Sequence, residues 1–149
     1  MSVSPEKLQQ VLADFEWLTD RSERAEYLIQ WADQFVPVPD DIAMRPFPLE
    51  KHIDFCESDA YVWAIPQDDA TLKFHFAVEN PQGLSAMALA TILEQTLSGQ
   101  PLEQVAQVSD EIVFNIFGKN VSMGKGQGLM GLVSRVRYEA QQQLKARGG

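Results

Sequence analysis

The sequence holds a single cysteine, Cys56, in 149 residues. One thiol cannot close an internal disulfide, and two histidines with scattered carboxylates lack the spacing of a zinc site. Bases are scarce as well: 12 Lys and Arg stand against 21 Asp and Glu, a net charge of −9. A nucleic acid or an anionic membrane surface requires clustered positive charge, so neither is expected as a partner. No run of about 18 apolar residues occurs, and the opening "MSVSPEKLQQVLADF" has no apolar leader core. The expectation is a reduced, cytoplasmic protein with no metal and no cofactor.

What is present is ordinary globular material. Hydrophobic residues make up 45% and charged residues 22%, enough for one domain, residues 1–149, with a sizeable core. Ser4 and Pro5 read as a helix start, and Leu8, Val11, Leu12, Phe15 and Leu18 follow at helical spacing. A second helix, capped by Ser22, would turn Ala25, Leu28, Ile29, Ala32 and Phe35 inward. The prolines of "PVPDD" (37–41) end it, and residues 40–48 read as an irregular surface loop.

The middle of the chain alternates as strands do. "YVWAI" (61–65) and "TLKFHFAV" (71–78) flank the turn "PQDDA" and form a hairpin, with His75 on the polar face. "KHIDFC" (51–56) is expected to pair as a third strand, Ile53 and Phe55 facing one way. Residues 84–97 form a helix stopped by Gly99, Pro101 opens a short turn of helix, and Ser109 caps another that ends at Gly118. "GKGQG" (124–128) lacks the spacing of a phosphate-binding loop and reads as a flexible connector into a last helix over 129–147. The fold class is α+β: a small antiparallel three-stranded sheet packed by helices.

Several segments together resemble the SufE family, sulfur-acceptor proteins that take persulfide sulfur from cysteine desulfurases for iron–sulfur cluster assembly. "YLIQWADQFVPVPDDI" is similar to the family's second helix and its proline-marked exit. "EKHIDFCESDAYVW" resembles Glu-Asn-x-Val-x-Gly-Cys-x-Ser-x-Val-Trp, with Glu50, Ile53, Cys56, Val62 and Trp63 in the matching roles. "TLSGQPLEQV" and "NVSMGKGQGLMGLVSRVR" are similar to later family segments, in the family's order. The resemblance implies a SufE-like fold and a reactive Cys56.

The departures fall on chemical positions. Phe55 stands where the family has glycine, two extra residues separate Cys56 from "VW", and Met87 and Lys125 stand where the family has lysine and arginine. An ungapped alignment back from Trp63 would put Ser58 at the reactive position. Asp54, Glu57 and Asp59 surround the thiol in sequence, and acids disfavour a thiolate. Two readings follow. In the first, the chain is a non-catalytic SufE-like adaptor or assembly factor for a protein partner, such as a basic or flexible peptide tail, with a carboxysome shell component as one example. Cys56 is then a small buried hydrophobe on a strand. In the alternative, Cys56 accepts sulfur from a cysteine desulfurase, with His52 and Lys125 stabilising charge.

Overall fold

The computed structural model describes residues 4–54, 56–119 and 121–148. Helix α1 (Glu6–Trp17) buries Leu8, Val11 and Phe15, as its spacing requires, with Pro5 at the N-cap rather than inside the first turn. Helix α2 (Arg21–Asp33) turns inward only part of the face expected: Leu28, Ala32 and, just past its end, Phe35 are inward as predicted. Ala25 and Ile29 are exposed, whereas Tyr27, Leu28, Trp31 and Ala32 pack on the core and Arg24 lies beside them. The Arg24 guanidinium donates to four carbonyls: Asn115 O at 2.9 Å, Ile116 O at 2.8 Å, Phe15 O at 3.1 Å and Leu18 O at 3.2 Å. These oxygens close the C-terminal ends of two helices, where a cation is favoured and unpaired carbonyls need donors.

Strands β1 (Ala60–Pro66) and β2 (Leu72–Val78) form an antiparallel hairpin with Trp63 opposite His75. Val62, Phe74 and Phe76 face the main core. Trp63 and Ala77 point the other way and are covered by Val38, Ile42 and Phe47, so the 37–48 loop shields the sheet's second face. His75 shares that face half-buried, not solvated as its position on the polar side implied.

The expected third strand does not form among the described residues. Leu49–Lys51 is a single 3₁₀ turn, and His52 makes one isolated antiparallel bridge to Tyr61. The sheet is therefore two-stranded. Pairing stops because the chain reverses immediately: Asp59 N–H closes a tight turn on Cys56 O at 3.1 Å, with Asp59 at φ +52°. The expected orientation of Phe55 lies outside the described residues.

Helix α3 (Leu84–Leu97) has the boundaries expected, and Gly99 follows it at φ +75°. It is the central element, buried at Ala86, Leu89, Ile92, Leu93 and Leu97 and touched by α1, α2, β2 and α6. The short helices α4 (Leu102–Val105) and α5 (Ile112–Phe117) come next, with Ser109 Oγ accepting Glu111 N–H at 3.1 Å. Helix α6 (Met123–Gly148) begins earlier than expected: the glycine-rich stretch is its first turns, not a connector. Gly126 and Gly128 are buried there, and Leu132, Val133 and Val136 continue the packed stripe.

A candidate thiol site at the Cys56 turn

Cys56 lies outside the sheet, on the turn that precedes β1, rather than on a strand. Its side chain is free, 9% exposed, and packs with the main core. Asp54, Glu57 and Asp59 are exposed, so the acids that flank the thiol in sequence point to solvent while the thiol points inward. The two extra residues before "VW" are absorbed where the turn meets the first residue of β1, without breaking the hairpin register.

Three sets of contacts hold this turn. On its N-terminal side, His52 Nε2 meets Asp59 Oδ1 at 3.2 Å while the imidazole packs edge-on against Tyr61 at 5.0 Å. Ile53 N–H donates to Ala60 O at 2.8 Å. Behind it lies the 79–83 segment: Glu79 N–H donates to Asp59 O and Asn80 N–H to Ser58 O, each at 3.1 Å. Ser58 sits so close to Gly83 that a Cβ there would stand 2.7 Å from its hydroxyl oxygen, so Ser58 is a packing residue against a glycine. Beneath it runs α6. A Cβ at Gly131 would stand 2.9 Å from Ile53 Cγ2, and one at Gly124 would stand 3.5 Å from Glu57 Oε1. Arg135 donates to Glu50 O and pairs with Glu139 at 3.0 Å, fixing the 3₁₀ turn to the same helix.

The residues singled out from sequence thus come together unequally. His52 belongs to the Cys56 turn directly. Lys125 stands exposed on the first turn of α6, one residue beyond the glycine that faces Glu57. Among the described residues it makes no ion pair. Met87 is half-buried on α3 and accepts a bond at its carbonyl from Thr91 Oγ1. The glycine-position departure at Phe55 lies outside the described residues. Sequence reasoning missed Gly83, Gly131 and Arg135, and it read Asp59 only as an acid beside the thiol, not as the partner of His52. Gly83 read as turn punctuation, and Gly131 as an unremarked position in the last helix.

A groove of about 320 Å³ opens beside the turn, lined by His52, Ile53, Asp54, Gln127, Gly131 and Arg135. Among the described residues no group of three or more His, Cys, Asp or Glu side chains is placed to hold a metal ion. No helix among them is long and apolar enough to cross a membrane. The other histidine, His75, is remote in the register and faces the 37–48 loop. Burial, then the Lys73 ammonium, push its pKa below the ordinary imidazole value, against smaller opposing effects of Glu94 and Asp41.

The class defined so far is an α+β domain in which one packed helical layer carries a hairpin and a single cysteine on the turn before it. Comparison places it more narrowly. Residues 9–140 match the family model described as "SufE: Fe-S metabolism associated domain", and the chain belongs to that family. The solved structures include a match to one described as the solution structure of a hypothetical protein from Thermus thermophilus. It is 21% identical, covers 96% of this chain and 99% of that chain, and has a TM-score of 0.72. At that identity the likeness concerns the fold alone. No match was found among the curated proteins.

Proposed function

We propose that the protein is a cytoplasmic sulfur acceptor in iron–sulfur cluster metabolism, taking sulfur from a cysteine desulfurase onto Cys56. The observation that carries this reading is the position of the only cysteine: on a turn outside the sheet, inside a family match that runs well past it on both sides. In the transfer, the Cys56 thiolate attacks the terminal sulfur of the donor's persulfide. The new S–S bond forms on Cys56, the old one breaks, and the donor cysteine leaves as thiolate. No external oxidant is needed, because the sulfane sulfur keeps its oxidation state. The inward position of the side chain suits custody of a persulfide, which is readily lost to other thiols in solution. The attack itself requires the turn to open. The Lys125 ammonium, and a protonated His52, would favour the thiolate once it does.

The reading is tested by desulfurase turnover. Wild-type protein should increase alanine release from cysteine, and Cys56→Ser should not. Equal stimulation by both variants would overturn it.

A second reading is favoured by one observation, the 9% exposure of Cys56. On it the fold is a protein-binding adaptor, serving a partner such as a carboxysome shell component, and the thiol is packing. Cys56→Ser would then leave the biological role intact.

A further inference from the structure

Of three tryptophans, Trp63 is 5% exposed and Trp31 packs on the core, but Trp17 is 85% exposed at the end of α1. An indole left in water is costly, and buried indoles are the commonest anchors of protein interfaces. Trp17 borders a groove of about 490 Å³ between α1 and α2, whose other walls include Asp14, Glu23, Glu26, Tyr27 and Leu18. Tyr27 donates its hydroxyl to Asp14 Oδ2 at 3.0 Å, and burial together with that bond raises its pKa, so the phenol stays a donor and orients the carboxylate. Among the described residues, Asp14, Glu23 and Glu26 make no ion pair. The groove therefore presents an uncovered aromatic face ringed by carboxylates that lack counter-charges.

We propose that this α1–α2 groove docks a basic segment of a partner protein, with an arginine or lysine stem lying across Trp17 and its charge shared by Asp14, Glu23 and Glu26. The chemistry is specific. A cation over an indole face gains from the ring quadrupole while its aliphatic stem covers the ring. Carboxylates at the rim steer a cationic segment and disfavour an acidic one. The inference is independent of sulfur transfer, since the groove belongs to α1 and α2 and none of its walls belongs to the Cys56 turn.

The test uses a short helical peptide with arginines on one face and leucines on the other, and its glutamate counterpart, titrated onto the full chain. The readout is tryptophan emission with iodide quenching, which Trp17 dominates because it is the exposed indole. The arginine peptide should shift emission to the blue and protect it from iodide, and the glutamate peptide should not. Trp17→Ala, followed by polarisation of a labelled peptide, should weaken binding roughly tenfold or more. The pair Glu23→Gln and Glu26→Gln should weaken it similarly and flatten its salt dependence. The control pair Glu103→Gln and Glu111→Gln removes equal charge from exposed sites elsewhere and should bind like wild type. Equal weakening by the control pair, or full binding by Trp17→Ala, would overturn the proposal in favour of net charge alone. Iodide protection in the free chain, with sedimentation as a dimer, would overturn it in favour of a second copy.

Discussion

The contact between His52 and Asp59 makes a sharp prediction about access to the thiol. It is half in solvent, with side-chain exposures of 25% and 63%, and spans the two ends of the turn that carries Cys56. A partly exposed contact of this kind, a hydrogen bond that becomes an ion pair only when the imidazole is protonated, contributes about 0.2–1 kcal/mol. If labelling of a 9%-exposed thiol needs the turn to open, removing the pair raises the open population by about 1.4- to 5-fold. The perturbations are Asp59→Asn and His52→Gln, and the assay is the rate at which a small thiol reagent labels the folded protein. Asp59→Asn removes an acid, which by itself would speed thiolate formation, whereas His52→Gln removes a protonatable imidazole and by itself would not. Both should nevertheless label faster, and the double variant no faster than the quicker single one. Slower labelling of His52→Gln would refute the latch and leave only local charge. Unfolding free energies from urea denaturation measured alongside should change by less than about 1 kcal/mol, which separates local opening from global unfolding.

Three other outcomes are expected. Arg24→Met removes a charged donor from four carbonyls at two helix ends and should cost about 3 kcal/mol; Arg24→Lys should restore only part, and a loss below about 1 kcal/mol by urea denaturation would contradict the contact geometry. Gly131→Val would force side-chain atoms into Ile53 and should cost about 1–3 kcal/mol while speeding Cys56 labelling; unchanged labelling would show that α6 does not pin the turn. His75 has a folded pKa depressed below its unfolded one, so as pH falls through about 6.5 the unfolded chain takes up the proton first and stability declines. His75→Gln should flatten that part of the stability profile, and an unaltered slope would count against it.

Much of the scaffold was legible because local chemistry and packing agree there. Helix α3 carries apolar residues on nearly every face and ends where Gly99 takes φ +75°, so its limits could be read residue by residue. Alternation in 71–78 gave β2 and its inward face. What failed was decided by contacts distant in sequence. The inner face of α2 depends on Arg24 meeting carbonyls of α1 and α5, which an apolar count passes over in favour of Ala25 and Ile29. The glycines of 124–128 read as a loop, yet they lie in the first turns of α6, where Gly126 and Gly128 are buried, and further along the same helix Gly131 leaves no room for a side chain beside Ile53. The third strand was lost to a four-residue reversal that no periodicity announces. At the site, Cys56 and His52 were identified together, but the contact of His52 with Asp59 was not, because Asp59 reaches it only through the tight turn at 56–59.

The central claim is that Cys56 receives sulfur, and intact mass after incubation with a cysteine desulfurase and cysteine tests it most directly. The account predicts a product heavier by one sulfur atom, removed by reductant, mapped to Cys56 and missing in Cys56→Ser. An unmodified chain, beside a desulfurase shown to carry its own persulfide, would contradict it.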